Sequence, residues 1–229
     1  MVEINKEQII DRFGEMVSAI SRRMIQNKEL AKEAAQEVWY EVLKNIHSFK
    51  GHSELSTWIY TIASRTILRY AKNEKISTIF ELEKFRELPE ITYDGTEEEE
   101  EHKAWIRRCC DWCLTAQNHC LDNHARLIFI FKINIDLSYW QISEIMEMKE
   151  VNIRKILSRS VQKISHFMND TCPLYNPSGT CKCRIRKHVR SVDLDKEYAA
   201  TLKIIRFIDV YRRADKELPK RNYWEKILS

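Results

Sequence analysis

Glycine and proline are scarce in this chain, four of each in 229 residues. So few turn residues argue against a sheet protein built from hairpins and against a loop-rich or collagen-like chain. No apolar run approaches the roughly 18 residues of a membrane span, and the opening MVEINKEQIIDRF lacks the basic-then-apolar order of a secretory signal. The expected location is therefore cytoplasmic, with no membrane partner. A Walker phosphate loop, an HExxH pair, a nucleophile elbow and a dinucleotide fingerprint are all missing, so the residues point away from an enzyme and no cofactor is required. The net charge of +4 is too small to announce nucleic-acid binding by itself, which leaves the distribution of charge to decide.

Apolar residues are plentiful, at 44%, and they recur at helical spacing. Phe13, Met16, Val17, Ile20 and Met24 give a first amphipathic helix. Asn27 is placed to cap a second, whose stripe is Leu30, Ala34, Val38, Val42 and Ile46. SFKGHSELST then reads as a turn, with a Ser as the fresh cap, before Trp58, Ile59, Ile62, Ala63 and Thr66. Periodicity fades from 73 to 103, where Pro89, Gly95 and the acidic run Glu97 to Glu101 mark a linker. It resumes at Trp105, Cys109, Trp112, Cys113 and Ala116, followed by Leu127, Ile128, Ile130 and Phe131.

Ser138 and Gln141 form a capping box that opens a short helix through Met146. A turn over 147–149 leads to a second helix with inner face Ile153, Leu157, Val161 and Ile164. Arg154, Lys155, Arg159 and Lys163 outweigh Glu150 on it, a net of +3. Two helices joined so tightly, the second one basic, predict a helix-turn-helix that lays its second helix in the DNA major groove. Glu147 stands where Gly is common and Lys149 where a Ser or Thr cap is expected.

The stretch NKELAKEAAQEVWYEVLKNIHSFKGHSELSTWIYTIASRTILRYAKN, with its QEV segment, FKG turn and TWIYTIA core, resembles the second domain of extracytoplasmic-function sigma factors of the sigma-70 class. The helix-turn-helix resembles their fourth domain, and the order and linker agree over roughly residues 8 to 168. The resemblance implies an all-α fold: sigma domain two over 1–72, an acidic linker over 73–103, and sigma domain four over 104–168. A Cys-rich basic segment over 169–190 and a helical C-terminal extension over 191–229 follow. It implies a chain that directs core RNA polymerase to promoter DNA, touching the clamp and flap regions of the enzyme. Gln36, Glu37, Tyr40 and Glu41 are the expected polymerase contacts. Phe49, Lys50, His52, Ser53, Thr57, Trp58, Thr61, Arg65 and Arg69 are those for opening the −10 element. Lys149, Asn152, Arg154, Lys155 and Arg159 are those for reading the −35 duplex. The acidic linker reads either as a solvated spacer or as an imitation of RNA phosphates in the polymerase channel. A stand-alone helix-turn-helix regulator is the competing reading, and it leaves the FKG and TWIYTIA region without a purpose.

Seven cysteines without an export signal suggest thiols or metal ligands rather than disulfides. Cys172, Cys181 and Cys183 lie in CPLYNPSGTCKC, and with His166 or His188 as fourth ligand they compose a structural zinc site; buried thiols and a redox switch are the other readings. Cys109, Cys110, Cys113 and Cys120 read as core thiols instead. KCRIRKHVR is a phosphate or RNA contact, and the amphipathic stretch Leu194 to Tyr211 either folds back or serves an anti-sigma or recruiting protein.

Overall fold

The computed structural model describes residues 6–74, 117–171, 176 and 178–180. The linker from 75 onward, the helix around Trp105, the cysteines at 109, 110, 113, 172, 181 and 183, His188 and the C-terminal extension lie outside the described residues. Within those described, every regular element is helical, and no helix is long and apolar enough to cross a membrane.

Three helices open the chain: α1 Lys6–Met24, α2 Lys28–Asn45 and α3 Leu55–Tyr70. The α1–α2 break is set by Asn27, whose side-chain oxygen accepts from the Leu30 amide at 3.0 Å. Between α2 and α3 lies a short 3-10 turn, Ile46–Ser48, and then Gly51 in the left-handed region at φ 73. An L side chain there is strained, which is why the FKG turn carries glycine. The expected Ser cap of α3 is not used: Glu54 takes the position and its side chain makes no capping bond. Val17, Met24, Ala34, Val38, Val42, Ile59, Ala63 and Ile67 are fully buried between the three helices, at the 3.6-residue spacing the sequence displays.

The later helices are α4 Asn123–Phe129, α5 Tyr139–Met146 and α6 Glu150–Thr171, with a π-helical turn Ile130–Asn134 between α4 and α5. Asp122 caps α4 by accepting from the Ala125 amide at 2.9 Å. The capping box of α5 is complete: Gln141 N donates to Ser138 Oγ at 3.1 Å and Ser138 N to Gln141 Oε1 at 2.9 Å. Glu147 ends α5 at φ 53, in the left-handed conformation that glycine usually fills.

Residues 6–74 and 121–157 form one compact unit. Its aromatic centre is Tyr60, buried edge-on to Phe13 at 6.4 Å and tilted against Phe131 at 5.9 Å. Burial pushes the Tyr60 phenol up from 10.0 to about 12, against a weaker downward pull from Arg12. The fold thus accommodates the protonated phenol. Its contribution to stability is whole below pH 10.0, the unfolded value, and is lost as pH climbs toward 12. Denaturant unfolding followed into that alkaline range should show a decline that Tyr60→Phe reduces. Of the remaining described residues, Lys163 and Cys120 fall in a second unit, where the Lys163 ammonium donates to the Cys120 carbonyl at 2.6 Å.

Candidate nucleic-acid and polymerase interface

The inner face of α3 is Ile59, Tyr60, Ala63, Ser64, Thr66 and Ile67, all buried. A helix turns 100° per residue, so the opposite face carries Trp58, Thr61, Ile62, Arg65 and Arg69. Arg65 and Arg69 are exposed and Trp58 is half-buried. Phe49 reaches across from the preceding turn to the Trp58 ring, with centroids 5.6 Å apart at 52°. The structure therefore brings Phe49, Trp58, Thr61, Arg65 and Arg69 to one side of the unit, with Lys50 and His52 exposed in the turn and Ser53 half-buried. Thr57 is placed differently: it is 4% exposed and faces inward.

On α2 the polar residues lie opposite Ala31, Ala34, Ala35, Val38, Trp39 and Val42. Tyr40 is 60% exposed, with the Lys44 ammonium 5.6 Å from its ring centroid, and Gln36 is exposed beside half-buried Glu37 and Glu41. Glu41 accepts from the Asn45 side chain at 3.2 Å. Glu37 accepts from Arg69 at 3.2 Å, which joins a residue expected to face polymerase to one expected to face DNA.

The second helix of the α5–α6 pair buries Ile153, Leu157, Ser160 and Ile164, and Val161 is half-buried. Opposite them run Val151, Lys155, Ser158, Arg159 and Gln162, all exposed, with Lys149 and Asn152 exposed at the start. Arg154 leaves this stripe sideways. Its guanidinium stacks 3.8 Å from the Tyr139 ring centroid and bonds Glu150 at 3.3 Å, tying the start of α6 to the start of α5. Val151, 60% exposed, is invisible to sequence reasoning because a lone apolar residue at a helix start carries no charge signal. His166 is exposed on α6, and among the described residues no three metal-ligating side chains converge.

A helical bundle followed by a helix-turn-helix with an outward basic stripe is an architecture for gripping nucleic acid. The sigma-70 region 2 family matches residues 9–76, which contain α1 to α3. That match and the relatives below support a sigma factor of the extracytoplasmic-function, sigma-70 class, one that directs RNA polymerase to promoters.

It is 27% identical over 148 residues to RNA polymerase sigma factor YlaC of Bacillus subtilis (strain 168), covering 65% of this chain and 82% of that protein. It is 23% identical over 147 residues to ECF RNA polymerase sigma factor SigM of the same organism, covering 64% and 84% respectively. Among solved structures it shares its fold with CnrH, determined in complex with the cytosolic domain of CnrY. The TM-score is 0.52 at 10% identity, over 72% of this chain and 87% of that one.

Proposed function

We propose that the two outward faces divide promoter recognition between them: α6 reads the −35 duplex, and the Phe49–Trp58 side of α3 captures the opened −10 strand. The observation that carries this is the exposed stripe Val151, Lys155, Arg159 and Gln162 directly opposite the buried Ile153, Leu157 and Ile164. Such a helix presents side chains to base edges along one groove while its back is packed. On α3, ring faces at Phe49 and Trp58 offer a stacking platform, and Arg65 and Arg69 follow the phosphates. Tyr40, with Gln36, Glu37 and Glu41 around it, is the polymerase contact, because an exposed aromatic ringed by polar groups is what a partner's hot spot requires. The polymerase performs the chemistry, so this chain needs no catalytic group, and it acts in the cytoplasm.

Footprinting of core polymerase with and without the chain on candidate promoters tests the division. Protection of both elements, with unpaired thymines near −10 reactive to permanganate, is expected. Protection of duplex DNA by the chain alone, unaffected by polymerase, would support a stand-alone regulator instead. CnrH is bound by CnrY, and that supports an anti-sigma partner for this chain as well.

The tail thiols Cys172, Cys181 and Cys183 are proposed as a structural zinc site from their spacing alone. Metal analysis of purified protein should find zinc near one equivalent, and Cys181→Ser should release it. Protein with no zinc leaves the thiols to a packing or redox role.

A further inference from the structure

In the first turn of α6 most side chains are already engaged. Ile153 is buried. Glu150 and Arg154 bond each other at 3.3 Å, and the Arg154 guanidinium also covers the Tyr139 ring. The Lys149 carbonyl accepts from the Asn152 and Ile153 amides, at 2.9 and 3.2 Å, and so starts the helix. Val151 faces outward at 60% exposure, the one large hydrophobic exposed among the described side chains of α6.

A single exposed apolar residue is ordinary on a protein surface, so its place has to decide what it does. Local structure gives no reason for a valine here. A β-branched residue is a poorer helix former than alanine, and the first turn of a helix favours Asp or Glu, which complement the positive end of its dipole. Val151 lies one turn before Lys155 on the outward stripe, in the N-terminal part of the second helix of a helix-turn-helix, the part that meets base edges. The edges in the major groove carry hydrogen-bond donors and acceptors, and thymine alone adds a methyl group. A valine has nothing to donate or accept, so it gains from that methyl and from no other base. Against cytosine it would cover an amino group without bonding it, which costs free energy.

We infer that Val151 is a specificity-determining residue that packs on the C5 methyl of a thymine in the −35 element, selecting an A·T pair where the start of α6 enters the groove. This deepens the assignment of α6 as the duplex reader and rests on it. Lys155, on the next turn, holds the helix to the duplex by charge, while Val151 discriminates by shape.

The test uses the full chain assembled with core polymerase, on a promoter whose upstream element has been mapped by footprinting. Each thymine of that element, on either strand, is replaced in turn by deoxyuridine, which removes the methyl and keeps every hydrogen-bonding group. One replacement should weaken binding by about fourfold, the worth of one buried methyl group. Val151→Ala should weaken binding to the unmodified promoter by a similar factor, and on that variant the same replacement should change affinity by less than twofold. Alanine is the better helix former, so the variant keeps its fold, which helical circular dichroism checks. A mapped element without thymine, replacements that all leave affinity within twofold, or a replacement that weakens both forms of the chain equally would overturn the methyl contact. Lys155→Ala on the same promoter separates the two claims. If it weakens binding where deoxyuridine does not, α6 still reads the duplex and Val151 reads no methyl; if neither has an effect, the assignment of α6 itself fails.

Discussion

Replacing Lys155 and Arg159 together with Ala is expected to weaken promoter binding by the assembled polymerase by about 100-fold, because removing each base or phosphate interaction costs ~1–3 kcal/mol. Both are exposed on the outward stripe of α6, one helical turn apart. Arg154, equally basic, is a poorer choice: its guanidinium is engaged with the Tyr139 ring and with Glu150, so its removal acts first on how α5 meets α6. Attachment to core polymerase should be unaffected, because the residues assigned to that role are on α2. Filter binding and a polymerase pull-down separate the two effects. Promoter affinity within twofold of the unmodified chain would remove α6 as the reader of the upstream element.

The largest stability effect is expected at Ile59. Its side chain is fully buried on α3, the helix that packs against both α1 and α2. Truncation to Ala leaves a cavity that flanking helices cannot collapse into without moving, at a cost of about 2–5 kcal/mol. Against a whole-domain stability of about 5–15 kcal/mol, that destabilisation also threatens the placement of Trp58, its neighbour on the outward side. Denaturant unfolding should report it as a lowered midpoint with unchanged slope. A change below about 0.5 kcal/mol, the size typical of surface substitutions, would mean that α3 is not the central helix of this unit.

Local features are legible in the sequence alone. The Asn27 cap, the Ser138–Gln141 capping box, the α5–α6 turn and most of each buried stripe follow from periodicity and from side chains that bond their own backbone, both short-range properties, whereas Trp58 and Ile62, read with the α3 stripe, lie half-buried on its other face. Glu147 stands at a glycine position, and it does adopt positive φ. Thr57 is not legible as an inward residue, because a threonine on the border of an amphipathic stripe suits either side. Nor is the role of Arg126. An arginine in an apolar run reads as a surface cation, and only the carbonyl of Met24, brought in from far along the chain, reveals it as an interior anchor. The packing of residues 121–157 onto the first three helices is hidden for the same reason: a contact between distant segments leaves no periodic trace.

Reconstituted transcription is the most direct test of what the chain does. Purified core polymerase, the chain and a set of candidate promoters should together yield transcripts from defined start sites, and omission of the chain should abolish them. If the chain neither binds core polymerase nor changes where it starts, it is not a promoter-directing subunit and the two DNA faces need another explanation.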